Sequence, residues 1–229
     1  MKRATLVISI LLFAVLTVLA AVISTDNFDS YTPTNDLNTL NGGSGWTGAW
    51  AKITGGAMTI ETAPAGGQGG NAVRSISATV DTQYSRAVTA ITVGTVRFRM
   101  RTTIANPNNF SGAVLRESTN GRMYIRFGPT GNLEIYNNTG ATYESIQAYS
   151  VDTWYTIDIN FDNAAQPNLY RAAVGGGAYT AYKTVNGGSY TNVDDMMLDD
   201  SATNAHTFWV DDIRPIGFPQ YYYRMMSQL

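Results

Sequence analysis

The sequence predicts an all-β domain, an antiparallel sandwich or barrel, and three observations carry that expectation. The first is composition. The 229 residues include 28 threonines, 14 tyrosines and 22 glycines but only 3 lysines and 4 glutamates, so β-branched, aromatic and turn residues outnumber the good helix formers. The second is strict apolar/polar alternation in short runs, the period of a half-buried strand. The third is the spacing of turn signals, which recur about every 8–12 residues. These features exclude a helical bundle or coiled coil. With 11% aromatic and 14% charged residues, the chain is also not disordered as its main state.

Taken in order, the chain opens with Met1-Lys2-Arg3 and an apolar run from Ala4 to Ile23. A positive end before an apolar stretch is the pattern of a secretory signal. Val22 and Ser24 suit the positions before a cut at Thr25, with Ala20 and Ala21 as alternatives. The run, at about 20 residues, is also long enough to span a bilayer. Residues 1–24 therefore read as a signal peptide or a membrane anchor. Everything after them is secreted or sits on the extracellular face of the membrane, touching the membrane only through residues 4–23 if these are uncleaved.

Beyond Asp26 the pattern is strands and turns. Val96-Arg97-Phe98-Arg99-Met100-Arg101 alternates perfectly, as do Arg122–Phe127, Leu133–Tyr136 and Tyr155–Phe161. Between them fall Asn106-Pro107-Asn108-Asn109, Thr119-Asn120-Gly121, Pro129-Thr130-Gly131-Asn132 and Asn186-Gly187-Gly188, each rich in turn formers. Ala63–Asn71 reads as a surface loop. The core is expected to hold Phe98, Met100, Met123, Ile125, Phe127, Leu133, Ile135, Tyr155, Ile157, Ile159, Phe161, Leu198, Phe208 and Val210. The segment 216–229, with Tyr221-Tyr222-Tyr223, is too apolar for a solvated terminus. It either packs back on its own domain or docks on a second copy.

A net charge of −2 and the absence of cysteine narrow the chemistry. There is no basic excess to neutralise phosphates, so no nucleic-acid partner is expected. Disulfides, thiolate nucleophiles and cysteine-based zinc sites are ruled out.

Asp26-Asn27-Phe28-Asp29-Ser30-Tyr31, Gly42-Gly43-Ser44-Gly45-Trp46 with Trp50, Val151–Ile159 and Phe208-Trp209-Val210-Asp211-Asp212-Ile213 follow one another in an order that resembles concanavalin A-like (laminin G-like) domains of secreted prokaryotic proteins. The resemblance covers residues 25–215. It implies a two-sheet antiparallel jelly-roll sandwich behind the N-terminal hydrophobic helix, with first and last strands side by side and ligands on the concave face or at loop tips. It also implies a structural Ca²⁺ between the first and last strands, where Asp26, Asp29, Asp211 and Asp212 match by position. The alternative is that these aspartates shape a turn and an edge.

Two further constellations bear on function. Arg97, Arg99 and Arg101 share one strand face, Arg122 and Arg126 another, and Glu134, Tyr136, Asp158 and Asn160 fit the same surface if the strands pair suitably. Such a face could grip sugar hydroxyls or carboxylates, since guanidinium forks bind carboxylates and stack on rings. It could equally be a solvated surface of cross-strand ion pairs. Catalysis finds no signature. The single histidine, His206, has no nucleophile motif beside it. The Glu-x-Asp-x-Glu run of glycosidases with this fold is absent. Asp194-Asp195 and Asp199-Asp200 read as turn borders around a short strand. The sequence thus points to an exported non-catalytic module that binds a glycan or cell-surface polysaccharide, or adheres through it. The alternative is a structural subunit of a surface layer or filament, and a polysaccharide-acting enzyme ranks last.

Overall fold

A computed structural model describes residues 21–217, apart from 63, 65–69, 78–79, 164–167 and 202–203. Residues 1–20 of the expected N-terminal hydrophobic helix (1–24) and the aromatic tail from residue 218 lie outside the described residues, and the described end of that segment is not helical, since Ala21–Val22 is a strand. Every regular element described is a strand: β1 (Ala21–Val22), β2 (Ala51–Thr54), β3 (Met58–Thr62), β4 (Asn71–Ser77), β5 (Thr82–Ile91), β6 (Val93–Thr102), β7 (Ser111–Glu117), β8 (Asn120–Phe127), β9 (Asn132–Asn137), β10 (Thr142–Ala148), β11 (Tyr155–Asp162), β12 (Leu169–Val174), β13 (Lys183–Thr184), β14 (Val193–Asp200) and β15 (His206–Gly217).

They make two antiparallel sheets. An eight-stranded sheet runs β13-β12-β11-β6-β15-β4-β3 with β1 added beside β15, and a seven-stranded sheet runs β10-β9-β8-β7-β14-β5-β2. Alternation decides which residues face inward. Phe98, Met100, Met123, Ile125, Phe127, Ile157, Ile159, Phe161, Phe208 and Val210 all enter one core between the sheets. Of the expected core only Tyr155 stays partly buried, its ring 6.3 Å from Phe127. Each fully buried large apolar side chain contributes about 1.5–3 kcal/mol, which lets the core hold the sandwich without disulfides.

One expectation is corrected in this region. Val193–Asp200 is a single strand in the middle of its sheet, paired with β5 on one side and β7 on the other. It is not a short strand between acidic turns. Met196 and Leu198 pack inward, so Asp195, Met197 and Asp199 point outward.

The two ends of the described segment meet as the resemblance implies. Ala21 pairs with Gly217 and Val22 with Ile216, and Asp26 and Ile213 exchange backbone hydrogen bonds of 2.9 and 2.8 Å. β15 thus extends two residues into the segment assigned to the tail. Behind this junction Arg86 is buried with Asp26, 2.5 Å apart. Arg86 also donates to Gly48 O, Asn41 Oδ1 and Gly42 O at 2.8–2.9 Å and lies 4.8 Å from the Trp46 ring centre. Asp26 further accepts from Tyr31 and Trp50. Every polar group here is matched, the condition under which a buried charge is tolerated.

Candidate functional site

Each sheet turns one face outward, and the two faces divide the sequence-derived candidates between them. Arg97, Arg99, Arg101 and Asp158 lie on the eight-stranded sheet. Arg122, Arg126 and Tyr136 lie on the seven-stranded sheet, together with Glu134. The single polar surface expected from the sequence does not form, because β6 and β11 pair with each other while β8 and β9 belong to the opposite sheet.

On the eight-stranded sheet, register sets each arginine opposite its partner. Arg97 faces Asp158, Arg99 faces Asp211 and Arg101 faces Trp209. Arg97 grips Asp158 with two bonds, 2.7 and 2.9 Å, and its side chain is 45% exposed. Arg99 and Arg101 are not solvent-facing, contrary to the expectation for an exposed ladder. Arg99 lies 5.1 Å from the Trp154 ring centre and 3.8 Å from Asp211. Arg101 lies 4.4 Å from the Trp209 ring centre and bonds Asp152 at 2.6 Å. Large indole rings reach over the pleat and cover these two cations. Farther along, Arg171 sits 4.5 and 4.6 Å from the ring centres of Tyr179 and Tyr182.

The four aspartates named for Ca²⁺ divide, with Asp29 and Asp212 near enough to Asp211 for their charges to raise its pKa and Asp26 apart from them. Asp26 faces the core and is neutralised by Arg86. Asp29 accepts from the Asn71 backbone at 2.7 Å. Asp212 occupies a bulge at φ 53° and bonds Arg214 at 2.6 Å. Asp211 is turned to Arg99, and burial pushes its carboxyl up to about 6. No group of three or more acidic or histidine side chains converges on a metal position among the described residues.

The seven-stranded sheet offers a different surface. A row across it reads Gln83 on β5, Asp199 on β14, Gly112 on β7, Arg126 on β8 and Glu134 on β9. Gly112 adds no side chain to that row. A Cβ there would sit 2.0 Å from the Ile125 carbonyl oxygen, so only glycine fits. Phe110, two residues earlier on the same face, brings its ring 6.1 Å from Tyr124 and 6.4 Å from Tyr143. Tyr136 joins them, 5.7 Å from Tyr124 and 5.2 Å from Tyr143. Arg126 is stacked 3.5 Å from the Tyr143 ring centre and is held by Glu134 at 2.8 Å. Arg122 is turned away, to Glu117 at 2.9 Å and the Asn186 carbonyl at 3.2 Å. The tyrosines are half-buried.

Asp199 and Asp195 complete this face. Asp199 accepts from Gln83 at 3.1 Å. Burial, reinforced by the nearby charge of Asp81, pushes its carboxyl up to about 7. Asp195 stands 3.3 Å from Arg116 Nε, and burial pushes it up to about 6 despite that charge. Sequence reasoning missed both. The signal was present in Asp195-Met196-Met197-Leu198-Asp199, where a period of two places both carboxylates on one face.

Four residues along a strand separate the Asp195 and Asp199 Cα atoms by about 13 Å, and different partners hold the two carboxyls. Arg116 draws Asp195 sideways, while Gln83 and Ser201 hold Asp199. His206 offers no triad. Its Nε2 meets both Asp200 (2.8 Å) and Ser111 (2.9 Å), and its Nδ1 meets the Asn204 carbonyl at 2.8 Å. A triad needs Ser and Asp on different ring nitrogens. Both side chains of the His206–Asp200 pair are sealed from solvent. Burial opposes the histidine's charge, but Asp200 outweighs it and holds the pKa above the ordinary value.

No protein-family model and no curated protein sequence matches the chain. Solved structures do. The chain is similar to a sialidase at 8% identity and TM-score 0.57, over 73% of this chain but only 17% of the sialidase. It is similar to a conserved carbohydrate esterase from Shiga toxin-encoding bacteriophage phi24B at 15% identity and TM-score 0.56, over 87% of this chain and all (100%) of the other. It is also similar to the catalytic domain of a glycoside hydrolase family 131 protein from Coprinopsis cinerea at 14% identity and TM-score 0.55, over 85% and 93% of the two chains. The shared feature is the fold, a concanavalin A-like jelly-roll sandwich.

Proposed function

We propose that this chain is an exported, non-catalytic carbohydrate-binding protein that holds a glycan on the tyrosine face of its seven-stranded sheet. One observation carries the reading. Tyr124, Tyr136 and Tyr143 form a contiguous, half-buried aromatic surface beside Arg126 and across Gly112 from Asp199. Flat rings take the apolar faces of a sugar. The guanidinium donates to its hydroxyls, and a carboxylate accepts from them. The different partners that fix Asp195 and Asp199 favour holding over cutting. The carbohydrate-acting names of the structures with this fold agree with a sugar ligand, though fold alone does not assign function. Export rests on Met1-Lys2-Arg3 and the apolar run behind it.

A glycan array probed with the full chain tests this. The parent should bind at least one class of glycan. Tyr143→Ala should weaken that binding by about tenfold or more, the loss of a stacking contact plus its neighbour's support, while the variant still melts cooperatively. A parent that binds no glycan, or a folded variant that binds as the parent does, would overturn the proposal.

A further inference from the structure

At the opposite side of the molecule, at the β3 edge of the eight-stranded sheet, lies a groove of about 480 Å³ that the tyrosine face does not use. Thr59 and Glu61 reach it from β3, Arg74 from β4, and Pro33 and Thr34 close it from the segment running along the edge. That segment is fixed in place: Thr34 N donates to Ile60 O at 2.7 Å, and Ile60 N donates to Asn35 O at 3.0 Å. The groove is therefore a formed feature of the fold, of a size suited to a small ligand.

Its polar groups have an incomplete pairing. Arg74 Nη1 stands 3.4 Å from Glu61 Oε2, a loose contact, and Arg74 Nε is shielded from solvent with no acceptor among the described residues. That atom is closed to solvent, so a ligand meets the outer guanidinium nitrogens of a side chain that is 34% exposed. Glu61 also accepts from Trp209 Nε1 at 2.8 Å, which aims its carboxylate and leaves lone pairs spare. The site thus sets a donor fork beside an acceptor, with threonine hydroxyls that can do either. Two adjacent hydroxyls on a sugar ring present the same combination, since each both donates and accepts. One positive and one negative charge cancel, so an anionic ligand gains nothing from the net field and meets Glu61 unfavourably.

We propose that this groove is a second binding site, for one neutral sugar unit, with its vicinal diol bridged between Arg74 and Glu61. It is independent of the tyrosine face.

The test is an NMR titration of the labelled full chain with methyl glucoside and methyl mannoside, using glucuronate as the charged counterpart. The Trp209 indole N–H, identified with Trp209→Phe, reports on Glu61 directly. At least one neutral glycoside should shift that signal and the backbone amides of Thr59, Glu61 and Arg74. Glu61→Gln and Arg74→Met should each weaken the response by about tenfold or more. Both sit at half-exposed positions, and melting curves confirm their folding. Tyr143→Ala should leave these shifts unchanged. If neither glycoside moves these signals, if both variants respond as the parent does, or if glucuronate binds more tightly, the proposal is overturned. Failure of the glycan array with these shifts intact would strike the tyrosine face alone.

Discussion

On the eight-stranded sheet, Arg99 and Arg101 lie beneath Trp154 and Trp209 with carboxylates close by. On the seven-stranded sheet, Asp199 lies near Tyr124 and Tyr143 and Asp195 beside Arg116, and each keeps one shielded oxygen without a hydrogen-bond partner among the described residues. Both faces are rich in charge. On the first, cations are covered by rings with anions close by, so the charges serve the fold, although Arg99 Nη1 and Arg101 Nε also lack a hydrogen-bond partner among the described residues and burial raises Asp211 as well. On the second, burial has raised two carboxyls toward neutrality without giving them full partners. Clusters of incompletely compensated groups are where binding and chemistry concentrate. A dense charge pattern on a strand is thus a poor guide to a site; what the facing strand supplies decides.

Three substitutions sharpen this contrast. The largest effect is expected from Arg101→Ala. It removes a cation stacked on Trp209 and a charged hydrogen bond to Asp152, a loss of about 2 kcal/mol. Melting should fall by about 4–8 °C for a domain of this size, with glycan binding unchanged. A variant as stable as the parent that loses binding would reverse the roles assigned to the two faces.

Asp199→Asn should act in the opposite direction. The folded carboxyl titrates near 7 and an unfolded one near 3.9. Between these values the native state holds the extra proton, so this group's contribution to stability falls as pH rises from about 4 through about 7. Replacing it should raise the melting temperature at pH 8 by about 2–6 °C and bring no gain at pH 4. A constant difference at both pH values would mean that Asp199 is not the buried titrating group described.

Arg97→Ala should have the smallest effect. Its side chain is 45% exposed, and exposed ion pairs contribute about 0–1 kcal/mol. Chemical denaturation should detect little change. A loss as large as that of Arg101→Ala would show that exposure does not separate the two arginines.

Alternation within single strands was enough to assign the fold class, and nearly all the residues named for the core are buried, while the buried side chains of β3, β4, β5 and β7 were not named. The inward positions of β6, β8 and β11 follow from a period of two, a local property of the chain. Phe98, Met100, Ile125 and Ile159 were legible for that reason. The absence of cysteine likewise bounds the chemistry without any structure. Which strands share a sheet is a matter of long-range pairing that no local pattern encodes. Arg97 and Arg126 look equivalent in sequence, yet they lie on opposite outer surfaces. Only the tertiary structure could decide that Arg86 neutralises Asp26 across 60 residues, that Trp154 and Trp209 cover the arginines, and that β14 stands mid-sheet with Asp199 near Tyr124 of β8 and Tyr143 of β10. Burial and partner, the two quantities that set the behaviour of a charge, come into being only when distant strands are brought together.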